Sequence, residues 1–87
     1  MIVQIKNNDK LEIIEKKNIT IINFDKIQKV FISFQNNFIF FLKSYYFVVR
    51  LKNNETLYFK LDKKSKDKIK KEILNLNYII NKKSDID

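Results

Sequence analysis

The sequence reads as an α+β domain: a strongly bent antiparallel sheet of six or seven short strands, closed by one C-terminal helix. Three observations predict it. Val30 to Leu51 holds six of the eight phenylalanines together with Tyr45 and Tyr46, and aromatic and β-branched side chains at that density favour strands. Polar interruptions, Asn7-Asn8-Asp9, Asn36-Asn37, Lys43-Ser44 and Asn53-Asn54, divide the apolar runs as turns do. After Leu61 strict alternation gives way to Ile69, Ile73, Leu76 and Ile80, spaced four, three and four apart, which is one stripe of a helix.

In chain order, Val3-Gln4-Ile5 and Leu11-Glu12-Ile13 each alternate apolar and polar residues. Setting Ile5 against Leu11 and Val3 against Ile13 leaves a three-residue hairpin loop, Asn7-Asn8-Asp9. The chain has no glycine, so asparagine is the residue available wherever a turn needs a positive φ. Ile19 to Phe24 forms the next strand, and Asp25-Lys26 turns the chain into Ile27 to Gln35. Phe34 opposite Phe38 makes Gln35-Asn36-Asn37 another three-residue loop, and Lys43-Ser44 a tight connection from Leu42 into Tyr45. Val49 to Phe59 echoes Val3 to Ile13, with five of eleven positions identical, as two hairpins built from one Lys- and Asn-rich alphabet would. Asp62 or Ser65 caps the helix, Leu74 widens its apolar stripe, and Tyr78 to Ile80 anchors its end.

One domain accounts for the whole chain: residues 1–81, with strands over 1–61, a helix over about 63–80, and a frayed tail at 82–87. Seven strands and a closing helix equal the element count of pleckstrin-homology-like domains, and a barrel-like closure of the sheet has the same count; no motif residue carries either likeness. A chain of 87 residues buries only about two-thirds of its unfolded surface, so each large core side chain weighs heavily.

The composition lacks Gly, Pro, Ala, Cys, His and Trp and abounds in Lys, Ile, Asn and Phe, the pattern an AT-rich genome writes. Codon use therefore accounts for much of the formal charge of +8, since 17 of the 18 basic residues are lysine. Zero cysteine excludes a disulfide framework, a zinc-thiolate site and a thiol nucleophile. The longest apolar runs, Phe38 to Leu42 and Tyr45 to Val49, are too short to span a bilayer. Met1 to Asp9 lacks the features of a signal peptide, so a cytoplasmic location with no membrane partner is expected.

Catalysis without His or Cys would fall to carboxylates, Ser, Lys or Tyr. Glu12 and Glu15 fall on opposite faces of a strand, Ser33, Ser44, Ser65 and Ser84 have no evident base, and no carboxylates take calcium-loop spacing. A phosphate-cradling glycine loop needs glycine. The chain is therefore expected to be no enzyme, and to carry no cofactor or metal.

Two candidate surfaces remain. If Val30, Ile32, Phe34, Phe38, Phe40 and Leu42 face the helix, alternation sends Phe31, Ile39 and Phe41 to the other face, and Val48 with them. That set is a candidate partner or dimer face unless the sheet curls to bury it. The other surface is basic. Lys63 to Lys71 spans the start of the helix, where positive charge opposes the helix dipole, and Lys64, Lys68 and Lys71 share a face. With Arg50, Lys60, Tyr46 and Tyr58 they form a candidate anion or nucleic-acid face of phosphate contacts and base stacking.

The expected function is binding by surface contact. A short basic chain from an AT-rich genome fits a phage or mobile-element inhibitor of a host defence complex, anti-CRISPR-like, with a host protein or ribonucleoprotein as partner. The alternatives are a small basic RNA- or DNA-binding protein and a homo-oligomeric structural module, a homodimer included.

Overall fold

The computed structural model describes the backbone of residues 1–37 and 42–84, and the side chains of 1–35 and 44–83. Among the described residues, six strands, one short 3-10 turn and one helix follow in order: β1 (Ile2–Lys6), β2 (Lys10–Ile14), β3 (Ile19–Asn23), the turn Phe24–Lys26, β4 (Ile27–Asn37), β5 (Leu42–Leu51), β6 (Thr56–Leu61) and α1 (Lys63–Ser84). They form two three-stranded antiparallel sheets, β1-β2-β3 and β4-β5-β6. The α+β class holds, while no ladder joins the two sheets into a closed barrel among the described residues.

The first hairpin has the expected register, with Val3 opposite Ile13 and Ile5 opposite Leu11. Asn7 and Asn8 take φ of 54° and 63° in its loop, and Asn54 takes 73° in the β5–β6 turn. A β-branched residue would pay roughly 1–2 kcal/mol in that left-handed region, whereas asparagine tolerates it. The echo between the two hairpins stops at the sequence. Val3 pairs ten residues on, with Ile13, but Val49 pairs eight residues on, with Leu57.

The middle of the chain differs from expectation. Val30 to Leu51 contributes two long strands rather than three short ones, because Asn36, Asn37, Lys43 and Ser44 all lie inside the β4–β5 ladder. Phe34 pairs with Tyr45, Gln35 with Ser44 and Asn37 with Leu42, so neither the 35–37 loop nor the Lys43-Ser44 turn exists. Two flanking strands of high β propensity extend the ladder through four polar residues whose turn preference is weak by comparison. The expectations for Phe38, Ile39, Phe40 and Phe41 fall outside the described residues.

One core joins all layers. Leu11 and Ile13 of the first sheet, Phe47, Val49, Phe59 and Leu61 of the second, Phe24, and Ile69, Leu76 and Ile80 of α1 belong to a single buried cluster. The helical stripe therefore packs as its spacing implied. Leu74 does not widen it: the side chain is 81% exposed, and Tyr78 is also exposed while Ile80 is buried. Leu74 lies about 200° around the helix from Leu76, so the stripe is narrower than its apolar content. Asp62 caps α1, its Oδ1 accepting the Ser65 N–H at 2.7 Å. That bond and the nearby N-terminal ammonium and Lys64 hold the Asp62 carboxyl below the usual aspartate range. The helix runs to Ser84, four residues past its expected end near 80.

Asn77 tethers α1 to the sheet. Its Oδ1 accepts the Val30 N–H at 3.0 Å and its Nδ2 donates to the Val30 carbonyl at 2.9 Å. β4 is an edge of its sheet, so Val30 turns both peptide groups outward, and one side-chain amide satisfies both as a neighbouring strand would. The result leaves the opposite face of β4-β5-β6 free of the helix.

Candidate nucleic-acid interface

The outer face of the second sheet is built by the ladder itself. Its residues fall in rows across β4, β5 and β6: Lys29 with Arg50 and Thr56, Phe31 with Val48 and Tyr58, Ser33 with Tyr46 and Lys60. Period two sends these side chains to the face opposite Val30, Phe47, Val49 and Phe59, which are in the core with α1. The register is unbroken from Lys29 to Asn37, so alternation from Phe31 places Lys29 level with Arg50, and the bulge between Ile27 and Lys29 lies before this face.

Three aromatic residues and three cations thus share one surface. Tyr46 and Tyr58 sit diagonally across β5 and β6 with ring centroids 6.3 Å apart and planes at 90°, the edge-to-face arrangement that ring quadrupoles favour. Lys29 Nζ lies 5.4 Å from the Phe31 ring centroid. Tyr58 is 64% exposed, whereas Phe31 and Tyr46 are half-buried. Lys29, Arg50 and Lys60 are all exposed, and none of the described positions in these rows is Asp or Glu. The face is therefore uniformly positive, with aromatic surface between its charges.

Of the sequence-derived anion face, Arg50, Lys60, Tyr46 and Tyr58 come together here. Lys64, Lys68 and Lys71 do not join them. They are exposed on α1, which packs on the other side of the sheet. Lys68 and Lys71 border a groove beside Met1, Ile2 and Val3, and Glu72 stands among them, so that flank is not purely cationic.

The partner face needs a larger correction. Val48 is fully buried and offers no contact surface. Alternation did send it outward, but it is a small residue on the central strand, level with Phe31 on one side and Tyr58 on the other, and larger neighbours cover it. Phe31 belongs to the aromatic–basic face, and Ile39 and Phe41 lie outside the described residues.

No family model, curated protein or solved structure matches this chain. Among the described residues, no helix is long and apolar enough to cross a membrane, and no three His, Cys, Asp or Glu side chains gather where they could hold a metal ion. Glu12, buried on the outer face of the first sheet, is engaged by Gln4 and by Lys6 Nζ at 3.7 Å.

Two features escaped the sequence. Lys29 joins the cationic set once the β4–β5 register sets it opposite Arg50; a count of alternate positions from Phe31 would have found it. The other is apolar: Ile2, Ile14 and Ile19 form one row across the outer face of the first sheet, with Ile21 beside it. Ile2, Ile19 and Ile21 are exposed there.

Proposed function

We propose that this protein is a non-enzymatic binding module whose working surface is the outer face of β4-β5-β6, and that its occupant is single-stranded nucleic acid. The observation that carries the proposal is the co-location of Phe31, Tyr46 and Tyr58 with Lys29, Arg50 and Lys60 on one carboxylate-free sheet face. Aromatic rings on a sheet face accept bases without regard to sequence, each stack contributing about 1–3 kcal/mol. Flanking cations hold the phosphates and release counterions, which makes the affinity steeply salt-dependent. A duplex offers no unstacked bases to such a face, so single strands are favoured.

Fluorescence anisotropy with a labelled single-stranded oligonucleotide tests this directly. Three cations neutralising three phosphates give a slope of about −2 in log K against log salt. Tyr58→Ala should weaken binding about 5- to 150-fold, and Arg50→Glu should weaken it and flatten the salt slope. Lys68→Glu with Lys71→Glu, on the far side of the sheet, should leave both nearly unchanged. Equal loss in the Lys68/Lys71 pair and in Tyr58→Ala would mean non-specific attraction to a basic protein, and the sheet face would be discarded. A host protein as the occupant, including the inhibitor role, is separated by a pull-down with and without nuclease: a nuclease-resistant protein partner lost in Tyr58→Ala would replace nucleic acid.

A further inference from the structure

A second site lies on the inner side of the same sheet, independent of the outer face. Where β4 and β5 extend beyond the part of the sheet that α1 covers, a cleft of about 390 Å³ opens between strands and helix. Ile32, Phe34 and Tyr45 line it from the sheet, and Lys66 and Lys70 from the helix. Its volume falls in the ~300–1,000 Å³ range of small-molecule sites.

The lining is chemically divided. Phe34 and Tyr45 form an aromatic wall, their centroids 6.2 Å apart and planes inclined at 43°. Phe34 remains 58% exposed, so much of its side chain is accessible to a ligand. Lys66 Nζ lies 4.3 Å from the Tyr45 ring centroid, which sets an ammonium against the aromatic wall. Lys70, one helical turn on, is the second cation. Like charges four residues apart on a helix repel, and none of the lining residues is acidic. An anion seated between the two ammoniums relieves that repulsion.

We infer that this cleft binds a flat aromatic ring bearing a phosphate, the chemistry of a mononucleotide, with the ring on Phe34 and the phosphate between Lys66 and Lys70. An aromatic wall and two cations lining one cleft match that combination, whereas a plain apolar ligand would leave two ammoniums unpaired and inorganic phosphate would leave the wall unused.

The test is an NMR titration of the wild-type protein with adenosine 5′-monophosphate, alongside adenosine and inorganic phosphate. The expected result is saturable binding of the nucleotide with Kd below ~1 mM, shifts centred on Ile32, Phe34 and Tyr45, and at least tenfold weaker binding of either fragment. Phe34→Ala and Lys70→Glu, both at exposed positions, should each cost at least tenfold; Lys68→Glu and Tyr58→Ala should cost less than twofold. No saturation at ~10 mM, fragments binding as well as the whole, or loss in Tyr58→Ala in place of Phe34→Ala would each overturn the inference. The Tyr58 control keeps its failure distinct from failure of the outer-face proposal.

Discussion

Replacing Asn77 by alanine tests how the sheet is held against the helix. The wild-type amide makes two hydrogen bonds to Val30, at 3.0 and 2.9 Å, and Val30 is only 1% exposed. Removing both leaves one donor and one acceptor on an edge strand without partners, at about 1–3 kcal/mol for each group that water cannot reach. Asn77 is itself half-buried, so water re-enters in part, and alanine regains about 0.5 kcal/mol of helix propensity. The net expectation is a loss of about 1.5–3 kcal/mol. Urea unfolding followed by far-ultraviolet circular dichroism measures it, as a lower midpoint at unchanged slope. Thermal unfolding should fall by roughly 4–8 °C per kcal/mol for a domain of this size. Hydrogen exchange at the Val30 amide is the local readout, since its protection should drop further than that of Val49 in the same sheet. Asn77→Asp keeps the acceptor for the Val30 N–H but faces the Val30 carbonyl with a second oxygen, and should lie near or below alanine at neutral pH. If Asn77→Ala unfolds within about 0.5 kcal/mol of wild type with Val30 still protected, the amide is not the clamp.

Three further outcomes follow from the same packing. Leu76→Ala should destabilise by about 2–5 kcal/mol, as for other buried leucines, while Leu74→Ala, on the solvent side, should change stability by less than about 0.5 kcal/mol; paired urea curves decide it. Asn54→Val should cost about 1–2 kcal/mol because its φ of 73° is left-handed, and Asn54→Gly should be neutral or stabilising, measured the same way. The Asp62 carboxyl titrates below its unfolded value, so its contribution is present above the ordinary aspartate range and is lost as pH falls through its folded value. Asp62→Ala should therefore lower the thermal midpoint at pH 7, and the gap to wild type should narrow on acidification below that range; a gap that is constant with pH would refute the cap as its source.

Much of this fold is written locally. The 3.6-residue recurrence of Ile69, Ile73, Leu76 and Ile80 marks a buried stripe whatever it packs against, and the Asn7-Asn8-Asp9 loop selects the β1–β2 register from turn geometry alone. The aromatic–basic face was legible in part: Tyr46, Tyr58, Arg50 and Lys60 stand at alternate positions on two strands, and alternation is local too. Lys29 was legible as the alternate position before Phe31, whereas Phe31 was separated from the tyrosines because cross-strand neighbours are set by register.

The sequence by itself determined the α+β class, the hairpin at the start, the asparagines that replace glycine, and the side of the helix that is buried. Tertiary structure alone decided that Asn36-Asn37 and Lys43-Ser44 extend a ladder rather than break it, that Val48 is covered, that Leu74 is not, and that the lysines of α1 lie across the sheet from Arg50 and Lys60. The physical reason is range. Helical period and turn conformation are fixed by residues within one or two turns of each other, whereas ladder length, cross-strand neighbours and the face left open depend on which distant segments compete for the same hydrogen bonds and the same apolar surface.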